Sequence, residues 1–260
     1  MKKLVASNQK GGVGKSAVVC QFAHYLNQLG FRVLVVDFDH QKNTSKALKT
    51  GGLIQLASVN AFEVYTKSVT ELAQYSDFML VEAVTELVNI EKQGEKHNSF
   101  AGNLLTFLKA MDSHFDICIM DTNPNPDIRQ VASLIGSDYV ISPLQLNQEA
   151  IDGIGGLLQQ VRAINQKLNP NLKLIGILPN LVEPTPFQKN NLQAIVEHFP
   201  QYLIKNEQGT FAFIKKTTAI PEAQAQGICV NKIQKTSGRD AWNHIKPTFD
   251  TIISFMELSK

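Results

Sequence analysis

Residues 10–16 read Lys-Gly-Gly-Val-Gly-Lys-Ser and directly follow the apolar opening Leu4-Val5-Ala6. A glycine-dense turn set between an apolar run and a helix-compatible segment constrains the fold more than any other feature of the chain. It calls for a strand that feeds a helix through a loop whose amide groups face inward. Gly11, Gly12 and Gly14 can take backbone angles that a Cβ forbids. Their N–H groups, with those of Val13, Lys15, Ser16 and Ala17 at the helix start, form a nest for nucleotide phosphates. Lys15 is placed to reach the β- and γ-phosphates, and the Ser16 hydroxyl to ligate Mg²⁺. The usual G-x-x-x-x-G-K-[ST] pattern needs glycine at position 9, where this chain has Gln9, and a second lysine, Lys10, stands at the loop's mouth. Lys10 comes too early to repeat the role of Lys15. It is either a solvated loop lysine or an outward-facing cation that meets a second nucleotide across a dimer interface.

Periodicity downstream predicts a doubly wound α/β fold, a mostly parallel sheet with helices on both faces, over a single domain spanning 1–260. Strands are expected at 3–7, 32–39, 78–83, 116–121, 138–144, 173–178 and 211–214. Helices are expected at 17–30, 103–114, 149–168, 187–199 and 239–258. Residues 44–60 and 93–102 are the least patterned. The phosphate loop, Asp37 and Asp39, Asp121 and Asn180 all fall at strand ends, where such sheets collect their ligands. Asp37 and Asp39 lie at i and i+2 of a strand end and so point the same way, as carboxylates organising Mg²⁺ and its waters would. Asp121 closes the apolar run Ile117-Cys118-Ile119-Met120, the pattern of an acid that holds a Mg²⁺ water. Pro124 and Pro126 stiffen the turn that follows.

Asn8-Gln9-Lys10-Gly11-Gly12-Val13-Gly14-Lys15-Ser16 resembles the deviant Walker A motif of the ParA/MinD ATPases, and is closest to the ParA-type partition ATPases. Asp37-Phe38-Asp39-His40-Gln41-Lys42-Asn43 resembles their D-x-D-P-Q-x-N segment, with His40 in place of proline. Asp121 with Asn123-Pro124 resembles their D-x-P-P, with Asn123 for a proline. Residues 140–145 and 149–153 resemble the family's strand-proline segment and the helix after it, which contribute to its dimer face. The resemblance implies that Lys10 crosses an ATP-bridged homodimer. It implies that Asp39 positions or activates the attacking water, that Asp37 joins the Mg²⁺ shell, and that Asn180 stands where relatives contact adenine. A turn cap is the other reading of Asn180. Catalysis would then rest on Lys10, Lys15 and Asp39, and the metal on Ser16, Asp37 and Asp121, with ATP and Mg²⁺ as the bound species.

The same resemblance implies ATP-gated binding to non-specific DNA, hydrolysis stimulated by a centromere-binding partner protein, and transport of plasmid or chromosome cargo over the nucleoid. The chain starts at its first strand, so the operator-binding extension of longer plasmid relatives is not expected. A net charge of only +2 argues against a uniformly basic nucleic-acid binder. Charge is uneven, however. Residues 57–100 carry seven acids and three lysines, and residues 205–246 seven basic side chains and three acids. DNA contacts are therefore sought among Lys189, Lys215, Lys216, Lys232, Lys235, Arg239 and Lys246. Three cysteines without metal spacing read as buried free thiols of a cytoplasmic protein. No apolar run approaches the ~20 residues of a membrane span. The alternative is a MinD-like or other cargo positioner acting on a membrane or protein complex. Acids in the apolar C-terminal stretch, Asp250 and Glu257, make it a poor membrane helix, so no membrane is expected.

Overall fold

The computed structural model describes residues 1–206 and 208–260. Seven strands form one parallel sheet among the described residues: β1 (Lys2–Ala6), β2 (Val33–Asp37), β3 (Gln55–Leu56), β4 (Phe78–Val81), β5 (Ile117–Asp121), β6 (Tyr139–Gln145) and β7 (Lys173–Asn180). Their order is β3-β4-β2-β5-β1-β6-β7, and every pairing is parallel. The helices are α1 (Lys15–Gln28), α2 (Asn43–Thr50), α3 (Ala61–Thr66), α4 (His97–Ala110), α5 (Ile128–Ile135), α6 (Gln148–Asp152), α7 (Ile154–Lys167), α8 (Pro186–His198), α9 (Ala219–Gln226) and α10 (Thr236–Phe255).

The near-continuous apolar strands are explained by two cores, one on each face. Leu4 and Ala6, Val33 and Val35, and Ile117 and Ile119 pack with α1, α9 and α10. Val5, Leu34 and Val36, and Cys118 and Met120 pack with α3, α4, α5 and α7. Successive side chains of a strand alternate faces, so a strand covered on both sides is apolar throughout. Pairing then sets the level of the site. Ala6 is in register with Asp121, and Asp121 with Asp37, so β1, β5 and β2 end side by side.

Several expectations shift. α2 runs into residues 44–60 as far as Thr50, and α4 begins at His97 rather than 103. The long helix expected over 149–168 is divided at Gly153 into α6 and α7. The short helices α3, α5 and α9, and the two-residue β3, were not foreseen. Residues 211–214 form no strand; Phe211 makes a single bridge to Lys205, and Lys215 one to Val182. α10 buries Ile245, Phe249 and Ile252, with the Phe249 ring 5.0 Å from Phe22, so its apolar stripe faces the core. Among the described residues no helix is long and apolar enough to cross a membrane.

One close approach joins distant parts of the chain. Gly51, just after α2, meets Gly227, just after α9. A Cβ on Gly51 would lie 2.0 Å from the Gly227 carbonyl oxygen, and one on Gly227 2.0 Å from the Gly51 nitrogen.

Candidate nucleotide site

The loop after β1 begins with a clamp. Asn8 donates from Nδ2 to the Pro143 carbonyl (2.8 Å) and to Ser142 Oγ (3.2 Å) on β6, while its Oδ1 accepts the Lys10 N–H at 2.8 Å. The loop then turns through Gly12 (φ +74°) and Gly14 (φ +82°), both in the region that favours glycine. At Gly14 space matters as well, since a Cβ would sit 2.3 Å from Asn180 Nδ2. Gly11 differs from expectation. It has no positive φ, and the nearest atom to an added Cβ is Pro124 Cγ at 4.0 Å. Gly14 caps α1 with no side-chain acceptor, which leaves the first N–H groups of the helix for an incoming anion.

Lys15 is 7% exposed. Its Nζ donates to the carbonyls of Asn8 (3.3 Å) and Lys10 (3.2 Å), so the cation lies against the loop. Burial lowers its pKa, opposed by the charges of Asp121 and Asp39. Ser16 Oγ donates to Asp121 Oδ2 at 2.6 Å, which brings the hydroxyl expected of a metal ligand onto the acid that ends β5. Thr44 Oγ1, on α2, donates to the same oxygen at 2.6 Å. Asp121 Oδ1 is buried with no hydrogen-bond partner among the described residues. A buried carboxylate oxygen left without a donor is costly, and a cation or its water would satisfy it. Burial is also the main reason the Asp121 carboxyl is pushed up.

Asp37 is held by donors of the protein itself. One oxygen accepts from Ser45 N (2.8 Å) and Ser45 Oγ (2.7 Å), and the other from Asp39 N (3.0 Å). Both oxygens help to hold the loop and the start of α2. Burial, with the charge of Asp121 beside it, raises the Asp37 pKa. Asp39 lines the cleft itself and is steadied by the Gln41 N–H at 3.0 Å.

Gly11, Gly12, Val13, Gly14, Lys15, Ser16 and Ala17 line a cleft of about 630 Å³ with Asp39 and Pro124. A neighbouring cavity of about 200 Å³ runs between Gly14, Asn180, Ile214, Pro221 and Ile245. Its walls are largely apolar, as a planar base requires. Asn180 is at its edge, and its Nδ2 is engaged with the Val13 carbonyl at 2.8 Å, so it also props the loop. Lys10 stays at the rim, with Nζ 2.8 Å from Glu149 Oε2. Among the described residues no three His, Cys, Asp or Glu side chains gather as a metal cage. That suits an ion held by one or two protein oxygens and completed by phosphate and water.

The sequence reading missed Thr44, Ser45, Asp127 and Arg129. The first two lie in a stretch without periodicity, where the only signal was a hydroxyl pair just beyond the Asp-x-Asp segment. Three of the proposed DNA-contacting residues are held in ion pairs. Lys216 is held by Glu183 (3.1 Å), Lys235 by Glu222 (2.6 Å) and Lys246 by Asp250 (2.6 Å). Lys189, Lys215, Lys232 and Arg239 are exposed.

Comparison with known proteins adds three similarities and a family match. A family model described as an AAA domain, AAA_31, matches residues 1–174. The chain is 31% identical over 270 residues to Protein IncC of Escherichia coli, across 100% of this chain and 71% of IncC. It is 27% identical over 242 residues to the chromosome-partitioning ATPase Soj of Thermus thermophilus, across 91% of this chain and 90% of Soj. Its fold is similar, with a TM-score of 0.71 at 27% identity, to a crystal structure of cobyrinic acid a,c-diamide synthase from Mycobacterium smegmatis with bound ADP and magnesium. That match covers 87% of this chain and 91% of the other.

Proposed function

The chain belongs to the AAA_31 family of ParA-type partition ATPases, and from that premise we propose that it is an ATP-driven dimerising switch that positions DNA cargo. ATP binds in the cleft with its phosphates on residues 11–17 and its base in the apolar cavity beside Asn180. The ion that fits the site is Mg²⁺, held by Ser16 and Asp121, and when bound it neutralises charge on the phosphate oxygens. Lys15 neutralises the phosphates from inside. Asp39 orients the attacking water, and hydrolysis removes the bridging charge and releases the dimer.

The observation that carries this reading is the separation of the two lysines. Lys15 lies buried against the loop, while Lys10 of the same loop stands at the rim, bound only to an exposed glutamate. A cation there serves no phosphate of its own site and is free to serve one facing it. In the ATP-bound dimer the protein holds non-specific duplex DNA on the nucleoid. A centromere-binding partner protein accelerates hydrolysis.

The test is binding to random-sequence duplex DNA with ATP, with ADP and without nucleotide, at low and moderate salt, for wild type and Lys10→Ala. We expect binding only with ATP, steep weakening with salt, and loss of at least about tenfold in affinity in the variant. ATP-dependent dimerisation without DNA binding would overturn the DNA reading and favour a positioner that works on a protein complex or membrane.

A further inference from the structure

Arg129 is a charged side chain with only 3% of its surface exposed. Burying a guanidinium is costly unless it is fully paired. Its partner is Asp127, two residues earlier: Arg129 Nε lies 3.2 Å from Oδ1 and 3.1 Å from Oδ2, and Nη2 also donates to Oδ2. Asp127 is itself fixed. It caps α5 by accepting the Arg129 N–H at 3.0 Å and accepts Asn123 Nδ2 at 2.8 Å. The Arg129 carbonyl accepts from Tyr65 Oη (3.2 Å) and Ser133 Oγ (2.7 Å). The guanidinium is therefore held from both its backbone and its head.

One donor remains. Arg129 Nη1 donates to His40 Nδ1 at 3.3 Å; the same ring nitrogen is 3.6 Å from Asp39 Oδ1, beyond hydrogen-bond distance, so His40 ties Asp39 through the main chain the two neighbours share. His40 thus joins the loop after β2, which carries Asp39, to the turn after β5, which carries Asp121 and Asn123. The next residue of α5 reaches a third loop, since Gln130 Nε2 donates to Ser7 Oγ at 2.9 Å. The first turn of α5 is the place where the three loops around the cleft meet. A buried arginine–aspartate pair is a poor source of stability compared with apolar packing. It is well suited to fixing a direction, because the guanidinium fork is rigid.

We propose that Arg129 and His40 are positioning residues that hold Asp39 at a fixed place relative to Asp121, so that the two acids act on one bound nucleotide in register. This rests on the reading of the site as an ATPase. Neither side chain is assigned a contact with nucleotide. Their loss should lower turnover and leave nucleotide affinity in place, since misplacement of a reacting group by an ångström can cost up to about a hundredfold.

The experiment compares wild type, His40→Ala, His40→Gln, Arg129→Lys and the double variant His40→Ala/Arg129→Lys. His40 is partly exposed and carries no buried ion pair, so its alanine variant is expected to fold even if the Arg129 variant proves unstable. Thermal melting checks this. Affinity for a fluorescent ATP analogue and steady-state kcat and KM are read separately. For His40→Ala we expect kcat about tenfold lower, with KM and analogue affinity within about twofold of wild type. Gln, which retains an acceptor, should restore most of the rate. The double variant should be no slower than the slower single variant, as for two residues in one chain of contacts. An unchanged kcat in His40→Ala, a parallel rise in KM, or additive losses in the double variant would each overturn the proposal. A wild type that binds the analogue but never hydrolyses ATP would sink the ATPase reading itself, and this proposal with it. Normal turnover in wild type beside an unaffected His40→Ala would sink the proposal alone.

Discussion

The floor of the cleft and its rim use the same residue type for opposite purposes. At the floor Lys15 is desolvated, and its neighbours Ser16, Thr44 and Asp121 are joined by short hydrogen bonds in a dry setting. Interactions there are strong, and any group left unmatched is costly. At the rim Lys10 pairs with Glu149, whose side chain is 79% exposed. An ion pair in that setting is screened by salt and adds little to stability. The floor is therefore built to hold charge in one place, whereas the rim is built to let charge change partners. Five residues of sequence separate the two environments.

Three measurements would break or sharpen this contrast, beside the tests above. The largest effect belongs to the floor. Lys15→Ala removes the cation that Asp121 and Asp39 face, and kcat/KM for ATP should fall by about a hundredfold to a thousandfold. If Lys10→Ala costs as much in a single-site nucleotide-binding assay, floor and rim are not distinct.

The next effect concerns how dry α1 is beneath the loop. His24 is 4% exposed, with its ring edge-on to Phe78 at 5.4 Å, and burial lowers its pKa to about 4 from an ordinary 6.5. Between those values the unfolded chain binds the proton that the folded chain refuses. The contribution is therefore complete above pH 6.5 and is lost as pH falls toward 4. The loss amounts to as much as roughly 3 kcal/mol. Urea unfolding at several pH values should show it, and the slope should flatten in His24→Gln. An equal slope in the variant would mean that water reaches the helix.

The smallest effect is at the rim. Glu149→Gln frees Lys10, and ATP-dependent dimerisation, followed by light scattering, should strengthen about twofold to threefold at low salt and match wild type at high salt. A weaker dimer would show that Glu149 presents Lys10 rather than restraining it.

Much of the floor was legible in the sequence because its geometry is local. Seven consecutive residues set the loop, and the apolar strands before Asp39 and Asp121 bring the acids to the carboxyl ends of neighbouring strands. The all-parallel sheet follows from the alternation of strands and helices. The partners of Asp37 were not legible, because a strand pattern shows where a carboxylate lies and not which donors reach it; Ser45, eight residues on, donates to one of its oxygens. Arg129 escaped notice because its partner is two residues away, and the two side chains meet here because Asp127 caps the helix whose first turn carries Arg129. The break at Gly153 was read as continuous helix, since apolar spacing on either side of it stays in phase.

The meeting of Gly51 with Gly227 bears on how this molecule can be taken apart. The matched family model stops at residue 174, and that invites treating the remainder as an interchangeable module. The obstructing atoms at this junction are main chain on both sides, so no rotamer change can make room for a side chain. A C-terminal third grafted from a relative would dock only if it brought glycine to this position in the same left-handed pose. The turns after α2 and α9 therefore fit only as a pair.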